Sequence, residues 1–165
     1  MFQPKFRIVK ITLLVIGKTD AAYLKEGLNE YLKRLKHYVN FEIMVIPDIK
    51  KTKNIGIENQ KKREGELILS KKSVDKEIHL FDENGRTLSS RELALFLEKK
   101  MLSGLKELVF VIGGPYGFSD EVYKNASSKI SLSRLTFSHQ MVRLICTEQI
   151  YRAFTILKGE PYHHN

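Results

Sequence analysis

The last third of the chain decides the fold, because three patterned segments follow one another with little between them. They are VFVIGGPYGFS (residues 109–119), ISLSRLTFSHQMVR (130–143) and EQIYRAFTILKGEPYH (148–163). An apolar run that ends in a glycine turn is typical of a parallel strand whose carboxyl end borders a ligand pocket. The segments therefore predict an α/β protein with a binding site close to these glycines.

Apolar runs and amphipathic segments alternate along the rest of the chain as well. The predicted strands cover residues 9–16, 41–46, 77–82, 108–112 and 130–132. The predicted helices cover 21–38 and 57–72, a segment from Ser89 or Ser90 to just before Gly104, a short segment capped by Ser119 or Asp120, and a long final segment capped by Ser138. We expect a turn at Asn84-Gly85. This alternation favours a mostly parallel sheet with helices on both faces.

Length and charge limit the function classes. At 165 residues and 42% hydrophobic composition, the chain has enough apolar residues for one domain, and we expect residues 1–165 to form it. The formal net charge is +9, from 28 Lys and Arg against 19 Asp and Glu. Such a surface attracts polyanions, which makes nucleic acid the leading partner. An anionic membrane surface and a merely basic soluble protein are the alternatives.

The single cysteine, Cys146, excludes an internal disulfide framework and any multi-cysteine metal site. Its place on the apolar face of the last helix predicts a core residue. No apolar stretch approaches the roughly 20 residues that a membrane-spanning helix needs. The opening segment lacks the small-residue cleavage site of a secretory signal. We therefore expect a cytoplasmic protein.

Two segments of the last third are candidates for ligand binding. Gly113, Gly114 and Gly117 allow close backbone approach, although their spacing matches neither the dinucleotide fingerprint nor the phosphate loop. The segment LSRLTF (132–137) is too polar for a central strand. Its backbone groups are available to a flat heteroaromatic ring, and its apolar side chains can form the walls of a pocket. A ligand-free connection and an ordinary buried loop are the structural alternatives.

These segments resemble the RlmH family of SPOUT-class methyltransferases. The resemblance runs from about Ile8 to His163, since IGK (16–18), AYLKEGLNEYLKRL (22–35) and REGELIL (63–69) also fit the family in order. It implies a C-terminal trefoil knot, a homodimer, and methylation of N3 of a pseudouridine in 23S ribosomal RNA with S-adenosyl-L-methionine. We expect the acceptor to lie in an assembled ribosome, because one small domain offers phosphate attraction but little base-specific readout.

The resemblance also carries individual residues. It implies a cofactor set of Leu80, Gly113, Leu132, Ser133, Arg134, Leu135, Thr136 and Phe137. In the family, the PYH tail approaches the methyl donor and is associated with activity, so Tyr162 and His163 are the first catalytic candidates. Because Tyr162 and His163 follow Gly159 and Pro161, we expect this C-terminal tail to make few core contacts.

Loss of the N3 proton of pseudouridine calls for a base or a stabilising cation. His139 and Arg152 are further catalytic candidates, although His139 could equally cap or pack a helix, and an ion pair with Glu148 explains Arg152 simply. Arg143 lies off the apolar stripe and is expected to be free for RNA phosphate or a second subunit. A competing function is a basic ribosome-binding module without catalysis, in which the loop at 48–54 meets RNA unless it is only a solvated linker.

Overall fold

The computed structural model describes residues 9–49 and 55–164, in which five strands alternate with five helices. The strands are β1 (Lys10–Ile16), β2 (Asn40–Ile46), β3 (Lys76–Thr87), β4 (Glu107–Ile112) and β5 (Ser128–Ser131). The helices are α1 (Ala22–Leu35), α2 (Ile57–Leu69), α3 (Ser90–Leu102), α4 (Asp120–Asn125) and α5 (Met141–Leu157). Residues 50–54, most of the basic loop considered in the sequence analysis, lie outside the described residues.

All strand pairs of the sheet are parallel, and the strand order is β2-β1-β4-β3-β5. Helices α1, α3 and α5 contribute to the apolar cluster on one face, while α2 and α4 contribute to the cluster on the other. Strand β4 is buried along its whole length because it lies in the middle of this covered sheet. The predicted α/β class, with a mostly parallel sheet and helices on both faces, is confirmed.

Serine side chains satisfy backbone donors at the start of α3 and α5. The Ser89 hydroxyl accepts a hydrogen bond from the Glu92 N–H at 3.2 Å, and the Glu92 carboxylate accepts one from the Ser89 N–H at 2.8 Å. This capping box begins α3 as the sequence predicts. The Ser138 hydroxyl accepts a hydrogen bond from the N–H of Met141, the first residue of α5. The serine thus satisfies one of the free donors at the start of the last helix.

The prediction of a turn at Asn84-Gly85 is wrong, because β3 continues through both residues to Thr87. Its pairing with β5 shifts register between Phe81 and Arg86, both of which face Ile130. A Cβ atom added to Gly85 would lie 2.6 Å from the backbone of Ile130. Glycine here allows two strands to approach closely, which the dipeptide pattern does not distinguish from a turn.

The prediction that Arg143 is free to meet RNA or a second subunit is also wrong. Only 1% of the residue is exposed, and its guanidinium donates to the carbonyl oxygens of Ile16 at 2.6 Å and Gly17 at 2.9 Å. It also donates to the Thr19 hydroxyl and to the His139 carbonyl oxygen. Because backbone carbonyls at the end of β1 need donors, this arginine ties α5 to the sheet instead of facing solvent.

The other predictions for the last helix agree with the structure. Cys146 is fully buried, and Arg152 forms the expected ion pair with Glu148 at 2.7 Å. Among the described residues, no helix is long and apolar enough to cross a membrane.

Candidate active site

A cavity of about 590 Å³ lies at the carboxyl ends of β4 and β5 and beside residues 81–84 of β3, where the pairing with β5 shifts register. Its lining comprises residues 81–84, 112–118, 131–133 and 135–139, together with Tyr123 and Val142. Its size falls within the roughly 300–1,000 Å³ that is usual for small-molecule sites. The position is the one expected for ligands in open parallel sheets, because the loops after neighbouring strands meet there.

The glycine turn that follows β4 forms one wall of this cavity. The Gly117 N–H donates to the Gly114 carbonyl oxygen at 3.1 Å, and Gly117 has a positive φ of 75°, which favours glycine. A Cβ atom at Gly113 would lie 3.1 Å from the Phe118 ring, and one at Gly114 would lie 2.6 Å from the Glu64 carboxylate. The turn is therefore packed closely from behind, and its bare backbone faces the ligand space.

Glu64 of α2 is the buried acid behind this turn, and sequence reasoning did not assign it a role. It is 3% exposed, and the side-chain amide of Gln60 donates to its Oε1 at 3.0 Å. Burial raises the pKa of Glu64, the Gln60 hydrogen bond lowers it, and the nearby Asp48 raises it. The only signal in the sequence is an acidic residue at an inward-facing position of REGELIL.

Asp82 and Tyr123 form a second pair that the sequence analysis missed. The Tyr123 hydroxyl donates to Asp82 Oδ2 at 2.5 Å, and the Asn84 N–H donates to Asp82 Oδ1 at 2.8 Å. Burial raises the pKa of the Tyr123 phenol, and the hydrogen bond to the Asp82 carboxylate raises it further. The phenol is thus a neutral donor that holds a carboxylate at the cavity. A carboxylate here can accept hydrogen bonds from ligand hydroxyls or face a cationic ligand group.

Most of the predicted cofactor residues lie on this cavity. Those among its lining are Gly113, Leu132, Ser133, Leu135, Thr136 and Phe137. Leu80 is fully buried in β3, directly before the lining residue Phe81, and Arg134 is exposed but is not part of the lining. The loop after β5 is held by its own serines, since the Ser133 hydroxyl accepts a hydrogen bond from the Leu135 N–H at 2.9 Å.

The catalytic candidates divide into two groups. His139 is exposed and lines the cavity at the start of α5, whereas Arg152, Tyr162 and His163 are not among the lining residues. The Tyr162 hydroxyl donates to Glu148 at 3.1 Å and lies 3.3 Å from the Tyr31 hydroxyl. The expectation of few core contacts for the tail is therefore wrong for Tyr162. Polar and aromatic residues of α1 and α5 together form a binding surface for its side chain.

The residues around Tyr162 on α1 and α5 also determine its charge state. Its ring packs edge-to-face on Tyr151 at 4.9 Å, and the Arg152 guanidinium lies 4.7 Å from the ring centroid. Burial raises the pKa of the Tyr162 phenol, as do the hydrogen bond with Tyr31 and the nearby Glu148 carboxylate. Tyr162 is therefore a neutral hydrogen-bond donor in this chain and not a phenolate base.

His163 lines a second cavity, of about 480 Å³, between α3 and the end of α5. Its Nδ1 is buried and has no hydrogen-bond partner among the described residues. Neighbouring lining residues include Arg91, Leu95 and Glu160. A single chain thus places the PYH tail and the glycine turn at different sites. In the described part of the chain, no group of three or more His, Cys, Asp and Glu residues is arranged to hold a metal ion.

Comparison with known proteins agrees with this architecture over almost the whole chain. The family model described as "Predicted SPOUT methyltransferase" matches residues 9–163. A protein of Christiangramia forsetii named "Ribosomal RNA large subunit methyltransferase H" is 59% identical over 93% of this chain and 98% of its own length. Proteins of the same name from Parabacteroides distasonis and Flavobacterium johnsoniae are 59% and 56% identical, each over 94% of this chain and 99% of their own length.

Proposed function

Because the chain belongs to the SPOUT methyltransferase family, we propose that it methylates N3 of a pseudouridine in 23S ribosomal RNA, using S-adenosyl-L-methionine. One observation carries the proposal. This chain and relatives named "Ribosomal RNA large subunit methyltransferase H" align over nearly their full lengths, and 59% of the aligned residues are identical. A formal charge of +9 favours binding to the negatively charged phosphate backbone of RNA. The whole chain then acts as one cytoplasmic SPOUT domain with a C-terminal trefoil knot.

The cavity at the carboxyl ends of β4 and β5 has properties that suit S-adenosyl-L-methionine. Gly113 and Gly114 line the cavity without side chains, because Phe118 and Glu64 already occupy the space next to the positions that a Cβ atom would take. A ligand in the cavity therefore meets the bare backbone of the turn. Leu132, Leu135 and Phe137 provide apolar surface for a heteroaromatic ring. The Asp82 carboxylate provides an acceptor for hydroxyl or ammonium groups. When bound there, the cofactor supplies the methyl group.

The protein must also position the acceptor base and accept the proton that N3 loses. Holding both reactants in one geometry is the larger task in a single displacement. His139 lies on the cavity and is one candidate for the proton acceptor. His163 is the other, since its Nδ1 is without a hydrogen-bond partner in the described part of the chain. Arg152 and Tyr162 act through their contacts with each other and with Glu148.

A homodimer would allow the tail of one subunit to reach the cavity of the other. Within one chain, Tyr162 is seated on α1 and α5, and no described tail residue lines the cavity. If the tail serves catalysis, the tail of one subunit must therefore reach the cavity of the other. This arrangement places the reacting atoms at the interface between two subunits, where water is most easily excluded.

Transfer of labelled methyl groups from S-adenosyl-L-methionine tests the proposal. Ribosomes and naked ribosomal RNA are prepared from a strain that lacks the enzyme. We expect labelling of assembled ribosomes, weak labelling of naked RNA, and a steep loss of activity with added salt because several phosphate contacts release counterions. Equal labelling of both substrates would remove the role of assembly. Labelling of neither would favour the non-catalytic ribosome-binding module.

A further inference from the structure

An exposed tyrosine lies at the rim of the cofactor cavity and makes no side-chain interaction with the residues that the structure describes. Three large aromatic side chains of the described residues are conspicuously exposed, namely Tyr23, Tyr116 and Phe137, and the last two line this cavity. Tyr116 is 43% exposed, and no ring contact, cation contact or hydrogen bond holds its side chain among the described residues. An aromatic ring left open beside a ligand site is suited to stack on a planar group.

The backbone fixes the position of this tyrosine. Residues 114–117 form a β-turn closed by the hydrogen bond from the Gly117 N–H to the Gly114 carbonyl oxygen at 3.1 Å. Pro115 occupies the second position of the turn, where its fixed φ is favourable, and Tyr116 occupies the third. The buried Glu64 carboxylate supports the turn from behind at Gly114. Tyr116 is therefore presented by a rigid element, which reduces the entropy lost on binding.

The strand order separates Tyr116 from the segment proposed for the cofactor. The glycine turn follows β4, the segment 132–137 follows β5, and β3 lies between these two strands. With about 4.8 Å between neighbouring strands, the two loops start roughly 10 Å apart. The cavity therefore has two walls. The β5 side carries the apolar residues Leu132, Leu135 and Phe137, and the β4 side carries the open tyrosine.

A base can reach the methyl donor only after it leaves its stack in the RNA. Unstacked bases are commonly held on an aromatic side chain, which replaces part of the lost stacking energy. We propose that Tyr116 is a substrate-positioning residue, on whose ring the acceptor base stacks at the mouth of the cavity. This inference rests on the proposed function and adds to it the residue that holds the acceptor.

Steady-state methylation of ribosomes by Tyr116→Leu, Tyr116→Phe and wild-type protein tests this role. Leucine keeps apolar surface but removes the aromatic face, so we expect the KM for ribosomes to rise about 5- to 150-fold, as for the loss of one stacked base. The kcat should stay within about twofold, since stacking is present in both the bound state and the transition state. Phenylalanine keeps the ring and should retain the wild-type KM. Tyr23→Leu is the matched control, because Tyr23 is 63% exposed on α1 and does not line this cavity.

Calorimetry with S-adenosyl-L-methionine separates the two walls of the cavity. We expect Tyr116→Leu to bind the cofactor as tightly as wild type. A large loss of cofactor affinity would overturn the inference by placing Tyr116 on the cofactor side. An unchanged KM for ribosomes in Tyr116→Leu, with an active wild-type enzyme, would overturn it without affecting the proposed function. If the wild type labels no ribosomes, the proposed function fails and this inference fails with it.

Discussion

The glycine turn and the C-terminal tail were both singled out by the same resemblance, yet the structure treats them differently. The turn and the loop after β5 line one cavity. The tail is seated elsewhere, with Tyr162 held by Tyr31 and Glu148. Loops at the carboxyl ends of parallel strands converge because the sheet brings them together. A tail has no such constraint, so side-chain contacts decide its position.

The substitution Gly114→Ala tests the turn and should have the largest effect on cofactor affinity. The added Cβ would lie 2.6 Å from Glu64 Oε2 and 3.0 Å from Oε1, so either the turn or the buried carboxylate must move. Overpacking of this kind costs about 1–3 kcal/mol, or a Tm lower by roughly 2–12 °C. We expect cofactor affinity, measured by calorimetry, to fall by about tenfold or more, since a shift of the turn narrows the cavity.

Two further variants show whether the clash is the cause. Gly56→Ala introduces the same methyl group with no atom within 4 Å, and it should bind the cofactor normally. Adding Glu64→Ala to Gly114→Ala removes the clashing carboxylate, so the double variant should regain part of the lost affinity. If the double variant is as poor as the sum of the two single variants, the close contact between α2 and the turn does not control the cavity.

Deletion of residues 162–165 tests the tail. If the tail supplies the proton acceptor from a second subunit, methyl transfer should fall by about 100-fold or more, while cofactor affinity stays unchanged. The deletion also removes the hydrogen bond to Glu148, the packing on Tyr151 and the Arg152 contact. We therefore expect a stability loss of about 2 kcal/mol, or a Tm lower by roughly 4–8 °C. Full activity of the truncated protein would return the proton-accepting role to His139.

A milder variant separates the two effects of the deletion. Tyr162→Phe keeps the contacts of the ring with Tyr151 and Arg152 but removes the hydroxyl, which donates a hydrogen bond to Glu148. It should lose about 1 kcal/mol of stability and retain most of the activity if His163 is the reactive group. His164→Ala, which alters an exposed neighbour, is the control.

Periodic and capping signals predicted the fold well, because burial and local hydrogen bonds act within a few residues of each other. The capping box at Ser89 and Glu92 and the glycine after β4 are examples. The errors involve contacts between segments distant in sequence. Gly85 is required by the approach of β5, and Arg143 is buried by carbonyls at the end of β1, more than a hundred residues away. Neither requirement leaves a trace in the local pattern.

The same distinction applies to the cavity. The segment 132–137 was assigned to the cofactor by the family resemblance, since a polar loop between buried elements fits an ordinary loop equally well. Asp82 and Tyr123 were missed because their pairing joins the middle of β3 to α4 across 41 residues. Such pairs can be predicted only once the strand order is known, since the order brings the two segments to one edge of the sheet.

The smallest predicted effect is the pH dependence of Glu64→Gln, which tests how the turn is supported. In the folded protein, burial raises the pKa of Glu64 above its ordinary value of 4.5, so the unfolded chain releases this proton at lower pH than the folded one. This group therefore favours folding most at pH values below about 4.5, and that contribution is lost as pH rises through the folded pKa. Glutamine has nearly the same shape and does not titrate.

Thermal unfolding of the two proteins across pH measures this difference. At pH 4 the Tm of Glu64→Gln should lie close to that of wild type. Near pH 8 the variant should melt about 2–4 °C higher, because it no longer buries a carboxylate behind Gly114. Cofactor affinity should change little, since the added amide keeps the volume that supports the turn. A variant that is less stable than wild type at pH 8 would mean that the ionised carboxylate is itself a favourable partner of the glycine turn, and the turn would then depend on charge as well as on close packing.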